Sequence, residues 1–193
     1  MEEKKTDLRI LKTYKALSDA FFEMLNEMRF EDITVNELCE RAMVRRATFY
    51  KHFADKYEFF GFFIRQIQDS FNANEENAAL SDAPYAYHLY LFQECIHFLQ
   101  QHRRLLDNVV KSNMFPAMLE IFSDEVYQNV LLHMKQQQQS GTKLPASPEL
   151  IASFYTGGII QVLHLWVTSP SPLSEEDLLH EVGAILSAFQ IMQ

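Results

Sequence analysis

The chain has 193 residues, 48% of them hydrophobic and 22% charged, with five Gly and six Pro. A chain of this length buries about 70% of its unfolded surface, so it needs no disulfide or metal to fold, and its balance of apolar and charged residues argues against disorder. The formal net charge of −9 argues at face value against a nucleic-acid partner, and the scarcity of turn residues favours helices over sheet. Cys39 and Cys95 lie outside any CxxC pair and set no disulfide framework. No apolar run approaches the ~18 residues of a membrane span, and the polar start lacks the apolar core of a signal peptide. A cytoplasmic protein with no membrane partner is expected.

In chain order, Ile10, Tyr14, Leu17, Phe21, Met24 and Met28 recur at spacings of three and four, which predicts a helix over 7–28. Residues 29–32 read as a short polar break. Thr34 and Glu37 have capping-box spacing and open a short helix with Val35, Leu38 and Ala42 inward. After a tight connection at 43–45, residues 46–53 form a second short helix with Phe49 and Phe53 on its inner face. Asp55 caps a helix from Lys56 to about Asn72. The polar, acidic stretch 72–83 is the best boundary by composition. Further helices are expected over 84–101, where Pro84 sits in the first turn, over 103–111, from Pro116 into the glutamine run 136–139, over 147–168 and from about Ser174 to Met192. The sum is an all-α chain of about nine helices with no strand.

The charge is unevenly placed. Residues 1–60 hold 11 Lys/Arg against 12 Asp/Glu, and residues 61–193 hold 6 against 14. Within 41–56, Arg41, Arg45, Arg46, Lys51 and Lys56 face only Asp55. This positive island coincides with the pair of short helices, which together make a helix-turn-helix. With Phe49 inward at ~100° per residue, Ala47 and Lys51 point outward, flanked by Thr48 and Tyr50. Ala47 is small enough to let the backbone approach base edges. Arg45 and Arg46 sit at the end of the helix that enters the major groove in such motifs, where Arg pairs with guanine.

Residues 30–42 (Phe-Glu-Asp-Ile-Thr-Val-Asn-Glu-Leu-Cys-Glu-Arg-Ala) and 44–53 (Val-Arg-Arg-Ala-Thr-Phe-Tyr-Lys-His-Phe), followed by Asp55-Lys56, closely resemble the N-terminal domain of TetR/AcrR-type transcriptional regulators. The resemblance spans about residues 7–60. It implies a three-helix DNA-binding domain over 1–55 and a helical effector-binding and dimerisation domain over 56–193. Carried over by position, Thr34, Tyr50, His52 and Lys56 would bind phosphates, and Arg45, Arg46, Ala47, Thr48 and Lys51 would face bases or the flanking backbone. The chain departs from the family pattern by placing Met43 where the turn holds Gly and Arg45 where Ser caps the helix. Met tolerates the positive φ of such a turn poorly.

The later helices carry two further expectations. Tyr87, Leu91, Phe92, Cys95, Phe98, Met114, Met118, Phe122 and Tyr127 either line an adaptable pocket for a small apolar or aromatic effector or fill an ordinary core. The last two helices are broadly apolar. In the resembled family this pair packs against its two-fold mate as a four-helix bundle, which assigns Phe154, Gly158, Val162, Trp166, Leu178, Val182, Ile185 and Phe189 to a homodimer interface. Gly157 and Gly158 in mid-helix cost ~1 kcal/mol each against Ala, which suggests the close approach of another backbone. The histidines have no metal-ligand spacing, and no metal or cofactor is expected. No GxSxG, HExxH, P-loop or GxGxxG motif points to an enzyme. The resemblance therefore implies a regulator that binds duplex DNA as a dimer at a near-palindrome and responds to a ligand, repression being the commoner mode in the family. The alternatives are an interaction protein or coactivator acting through a partner regulator and, beyond that, an enzyme.

Overall fold

The structure, a computed structural model, describes residues 8–72, 86–169 and 171–191. Among these there are nine α-helices, one 3-10 turn and no strand: α1 (Leu8–Glu27), the 3-10 turn Phe30–Asp32, α2 (Val35–Arg41), α3 (Arg46–His52), α4 (Lys56–Asn72), α5 (Ala86–Gln101), α6 (Arg103–Val110), α7 (Phe115–Gln139), α8 (Pro148–Thr168) and α9 (Glu175–Ile191). The all-α reading holds. The boundary expected at 72–83 and the Pro84 helix start fall almost wholly outside the described residues.

Helix starts follow local chemistry. The Thr34 hydroxyl accepts from the Glu37 N–H at 3.2 Å and donates to the Glu37 carboxylate at 3.0 Å, so the side chain reaches back to the hydroxyl. Asp55 Oδ1 accepts from the N–H groups of Tyr57 and Glu58 at 2.8 and 2.9 Å, and the Glu58 carboxylate accepts from the Ala54 N–H. Ser147 and Ser174 cap α8 and α9 in the same way. Each such cap contributes about 1 kcal/mol by satisfying an orphan amide.

The chain packs as two compact units. The first holds the described residues up to Phe63 together with His102–Met118; the second holds Ile64–Gln101 and the residues from Leu119 onward. The expected division at residue 55 follows the order of the chain. The packing instead places the first turns of α4 and all of α6 with the N-terminal helices. Two links explain α6: Asn108 Nδ2 donates to the Leu25 carbonyl at 2.9 Å, and the Glu31 carboxylate accepts from the Ser112 hydroxyl and, at 3.0 Å, from the Asn113 N–H. Neither partner is predictable from spacing, because 81 to 83 residues separate them.

Aromatic rings fill the first core. Phe21, Phe30, Phe49 and Phe59 are fully buried. Phe21 meets Phe59 edge-to-face at 5.2 Å and 90°, and Phe53 meets Phe59 at 5.0 Å and 79°. Phe30 lies in the stretch read as a polar break, so that reading is corrected: one apolar residue among charges escaped the helical period yet plugs the core.

In the second unit, Phe92 and Ile96 of α5, Leu163 and Trp166 of α8, and Leu178, Val182 and Leu186 of α9 form one buried cluster. Val130 and Met134 of α7 with Ile151 and Ala152 of α8 form another. By length and composition α8, at 21 residues, is apolar enough to cross a membrane. This amends the expectation that no segment reaches that length, which counted unbroken apolar runs and overlooked Gly, Ser and Thr within a helix whose one Asp, Glu, Lys or Arg is Glu149. The inner face of α8 packs in both clusters, as the core helix of a folded unit does.

Candidate nucleic-acid interface

The α3 helix is too short to be stable alone and depends on the burial of Phe49. With Phe49 inside, Ala47, Lys51 and Tyr50 are exposed, Tyr50 by 56%, and Thr48 and His52 are half-buried. Arg45 and Arg46 are exposed at the helix start. Arg45 occupies the N-cap without a side-chain cap bond, so its guanidinium is not spent on its own helix. His52 lies at the far end, its Nδ1 3.3 Å from the Tyr14 hydroxyl.

The turn before α3 keeps its geometry despite the missing glycine. Met43 adopts φ +53°, in the left-handed region, and is 94% exposed. Val44 N–H closes the turn onto the Cys39 carbonyl at 2.9 Å. Asn36, Cys39, Glu40, Met43, Val44, Arg45 and Arg46 line an open cleft of about 370 Å³ beside it.

Two members of the positive island are committed elsewhere. Arg41 pairs with Glu27 at 2.6 Å. Lys56, expected at a phosphate, is half-buried and donates to the carbonyls of Phe30, Glu31 and Ile33 at 2.9, 3.1 and 2.9 Å. Its ammonium also lies 4.8 Å from the Phe30 ring centre. Burial lowers its pKa, opposed by the charges of Glu31 and Asp32. An ammonium has three donors, and here all three are engaged on these carbonyls rather than presented outward for a phosphate. The Thr34 hydroxyl proton is likewise engaged, on Glu37. Among the described residues, Arg45, Arg46 and Lys51 remain as the exposed cations of 41–56 outside an ion pair.

The candidate pocket residues are spread over both units. Met114 and Met118 belong to the first unit. Phe92 is buried in the larger cluster of the second unit, with Cys95 and Phe122 packed against it, and Tyr127 packs on the smaller one. Leu91 and Phe98 are half-buried, Phe98 against Phe71, and the Tyr87 side chain lies outside the described residues.

The candidate interface residues also divide. Trp166, Leu178 and Val182 are buried in their own chain, and Trp166 Nε1 donates to the Leu173 carbonyl at 2.9 Å, so their assignment to a dimer surface is corrected. Val162 packs half-buried on the same cluster. Phe154, Gly158 and Ile185 are exposed, and the Phe189 side chain lies outside the described residues. The outward stripe of α8 runs through Leu150, Phe154, Gly157, Gly158, Gln161 and Leu165. Leu150 and Leu165 were missed because α8 is apolar on all sides, so its period gives no phase.

Residues 19–61 match the sequence profile of bacterial regulatory proteins of the tetR family, and residues 88–188, more than half of the chain, match a transcriptional regulator C-terminal region. This chain belongs to the TetR family of transcriptional regulators. Over 58 residues, 30% of the chain, this TetR-family regulator is 40% identical to the uncharacterized HTH-type transcriptional regulator YxbF of Bacillus subtilis, and the match spans only 15% of that relative's length. Among solved structures, it resembles Lin0861 of Listeria innocua (TM-score 0.63, 20% identity, 100% of this chain and 97% of that one). A TetR-family regulator from Syntrophomonas wolfei gives TM-score 0.64 at 13% identity, over 94% and 96% of the two chains. FadR of Bacillus subtilis, solved in complex with stearoyl-CoA, gives 0.59 at 16% identity, over 90% and 97%. At these identities the likenesses are of fold.

Proposed function

We propose that this TetR-family regulator binds duplex DNA as a homodimer, with α3 in the major groove, and represses transcription until an apolar effector releases it. The observation that carries the reading is the outer face of α3: Ala47, Tyr50 and Lys51 exposed beside Arg45 and Arg46, while Phe49 anchors the helix from within. Arg45, Arg46, Ala47, Thr48 and Lys51 would meet bases or flanking backbone. Tyr50, His52 and Thr34 would contact phosphates, Thr34 by giving up its bond to Glu37.

Homodimerisation is supported by the exposed stripe of α8 and by Ala184, Ile185 and Ala188 on α9, which carry apolar and small residues outward. Two recognition helices about 34 Å apart would then read a near-palindrome. The net charge of −8 over residues 61–193 would repel DNA from other faces and orient its approach. An apolar effector is supported by the aromatic and aliphatic interior of the second unit and by the stearoyl-CoA bound to the FadR neighbour. The protein would act in the cytoplasm without catalysing a reaction.

Selection of DNA fragments from a random pool by the purified protein tests this reading. A near-palindromic consensus with half-sites one helical turn apart is expected. Failure to retain any fragment at low salt, with a folded dimer, would instead favour action through a partner regulator. Thermal shifts with a panel of fatty acids and acyl-CoAs test the effector.

A further inference from the structure

We propose that Lys56 sets the pose of the recognition helix by clamping the backbone of residues 30–33, and takes no part in phosphate binding. The proposal rests on the DNA-binding reading above and specifies how its contact surface is held. Ile33, one of the three acceptors, directly precedes Thr34, which caps α2. Lys56 itself opens α4, four residues after His52 ends α3. Between these points the chain is closed at each joint: the Thr34 cap, the turn bond from Val44 to Cys39, the buried Phe49, and the Asp55 cap. The ammonium therefore fastens the two ends of the 33–56 segment to each other. The helix-turn-helix becomes a ring whose last link is a single side chain.

The geometry leaves little latitude. Three carbonyls converge on Nζ at 2.9, 3.1 and 2.9 Å, one for each N–H, and the Phe30 ring flanks the same cation. Swinging Lys56 out to a phosphate would strip three carbonyls of a charged donor at once. A planar guanidinium cannot aim three donors at acceptors clustered round one point, so Arg is no substitute here, whereas Arg serves a phosphate as well as Lys or better.

Reductive methylation of the full-length wild-type protein, mapped by mass spectrometry, tests the clamp without a mutation. Lys56 should react at least about tenfold more slowly than exposed Lys51, both free and DNA-bound, since only a freed amine is nucleophilic. Equal reaction of Lys56 and Lys51 in the free protein would overturn the proposal. Because this measurement needs no DNA, it stands apart from any failure of the DNA reading.

Lys56→Arg and Lys56→Met then test the consequence, in variants whose helicity and dimerisation match the wild type. Both should lower the affinity for the selected fragment relative to an unrelated duplex by about tenfold, with the salt dependence on the unrelated duplex unchanged. A residue that only stabilised the fold would reduce both affinities in proportion. Wild-type discrimination in Lys56→Arg, with a salt slope lowered by ~0.9 per half-site in Lys56→Met, would restore Lys56 to the phosphates and end the proposal.

Discussion

The Tyr14 hydroxyl sits 3.3 Å from Nδ1 of His52, and the two rings meet edge-to-face at 5.3 Å and 82°. A residue of α1 thus holds the side chain that ends the recognition helix, and directs the other ring nitrogen away from α1. Tyr14→Phe keeps the ring that packs on Phe53 and Phe62 and removes only the hydroxyl. The loss of stability should be about 1 kcal/mol, with DNA affinity falling several-fold. Unchanged affinity in a gel-retardation titration would show that the orientation of His52 does not matter for binding.

Met43 bears a φ of +53° that glycine adopts without strain. A Cβ in the left-handed region costs about 1–2 kcal/mol, and glycine returns about 0.5–1 kcal/mol of that as extra freedom in the unfolded chain. Met43→Gly should therefore raise stability by about 0.5–1 kcal/mol in urea denaturation. The side chain is 94% exposed, so no packing is lost. A destabilised variant would mean that Met43 makes contacts in solution that offset its backbone strain.

Surface and core positions on α8 and α9 should respond differently. Phe154→Glu and Ile185→Glu alter exposed residues and should convert dimer to monomer in sedimentation velocity while the melting temperature of the subunit changes little. Trp166→Ala opens a cavity in the larger cluster and should cost about 3–5 kcal/mol. Were Phe154→Glu and Ile185→Glu both to remain dimeric, the interface would lie on another face.

Glu31 responds to acid. The Ser112 hydroxyl and the Asn113 N–H hold its carboxyl below the usual 4.5. A carboxylate with a depressed folded value contributes stability above the unfolded value and loses it as pH falls through the folded one. The midpoint of unfolding should thus drop below about pH 4.5 in the wild type, and Glu31→Gln should flatten that part of the profile. An identical acid limb in both proteins would show that the link to Ser112 and Asn113 does not form.

Much of α3 was legible because one buried aromatic fixes the phase of a short amphipathic helix: with Phe49 inward, the exposure of Ala47, Tyr50 and Lys51 follows from the 3.6-residue period. The caps at Thr34, Asp55, Ser147 and Ser174 were legible for a similar reason, since donor and acceptor lie two or three residues apart. Lys56 was not. Its partners lie 23 to 26 residues earlier and are backbone carbonyls, which no side-chain pattern announces. Arg41 likewise loses its apparent freedom to Glu27, 14 residues away. Summing formal charges along 41–56 therefore counted two cations whose side chains are engaged elsewhere. The inner and outer faces of α8 could not be separated either, because Leu150 and Leu165 are as apolar as Leu163, and only the partners of α5 and α9 decide which one is covered.

Gly157 and Gly158 carry a consequence for how such a chain changes over generations. Among the described residues, nothing lies within 4 Å of where a Cβ would stand on either one. For a solitary subunit, alanine at both would be a gain of about 2 kcal/mol with no steric objection. A lineage that gave up pairing would drift towards alanine there, while one that kept it would hold both glycines against that pull.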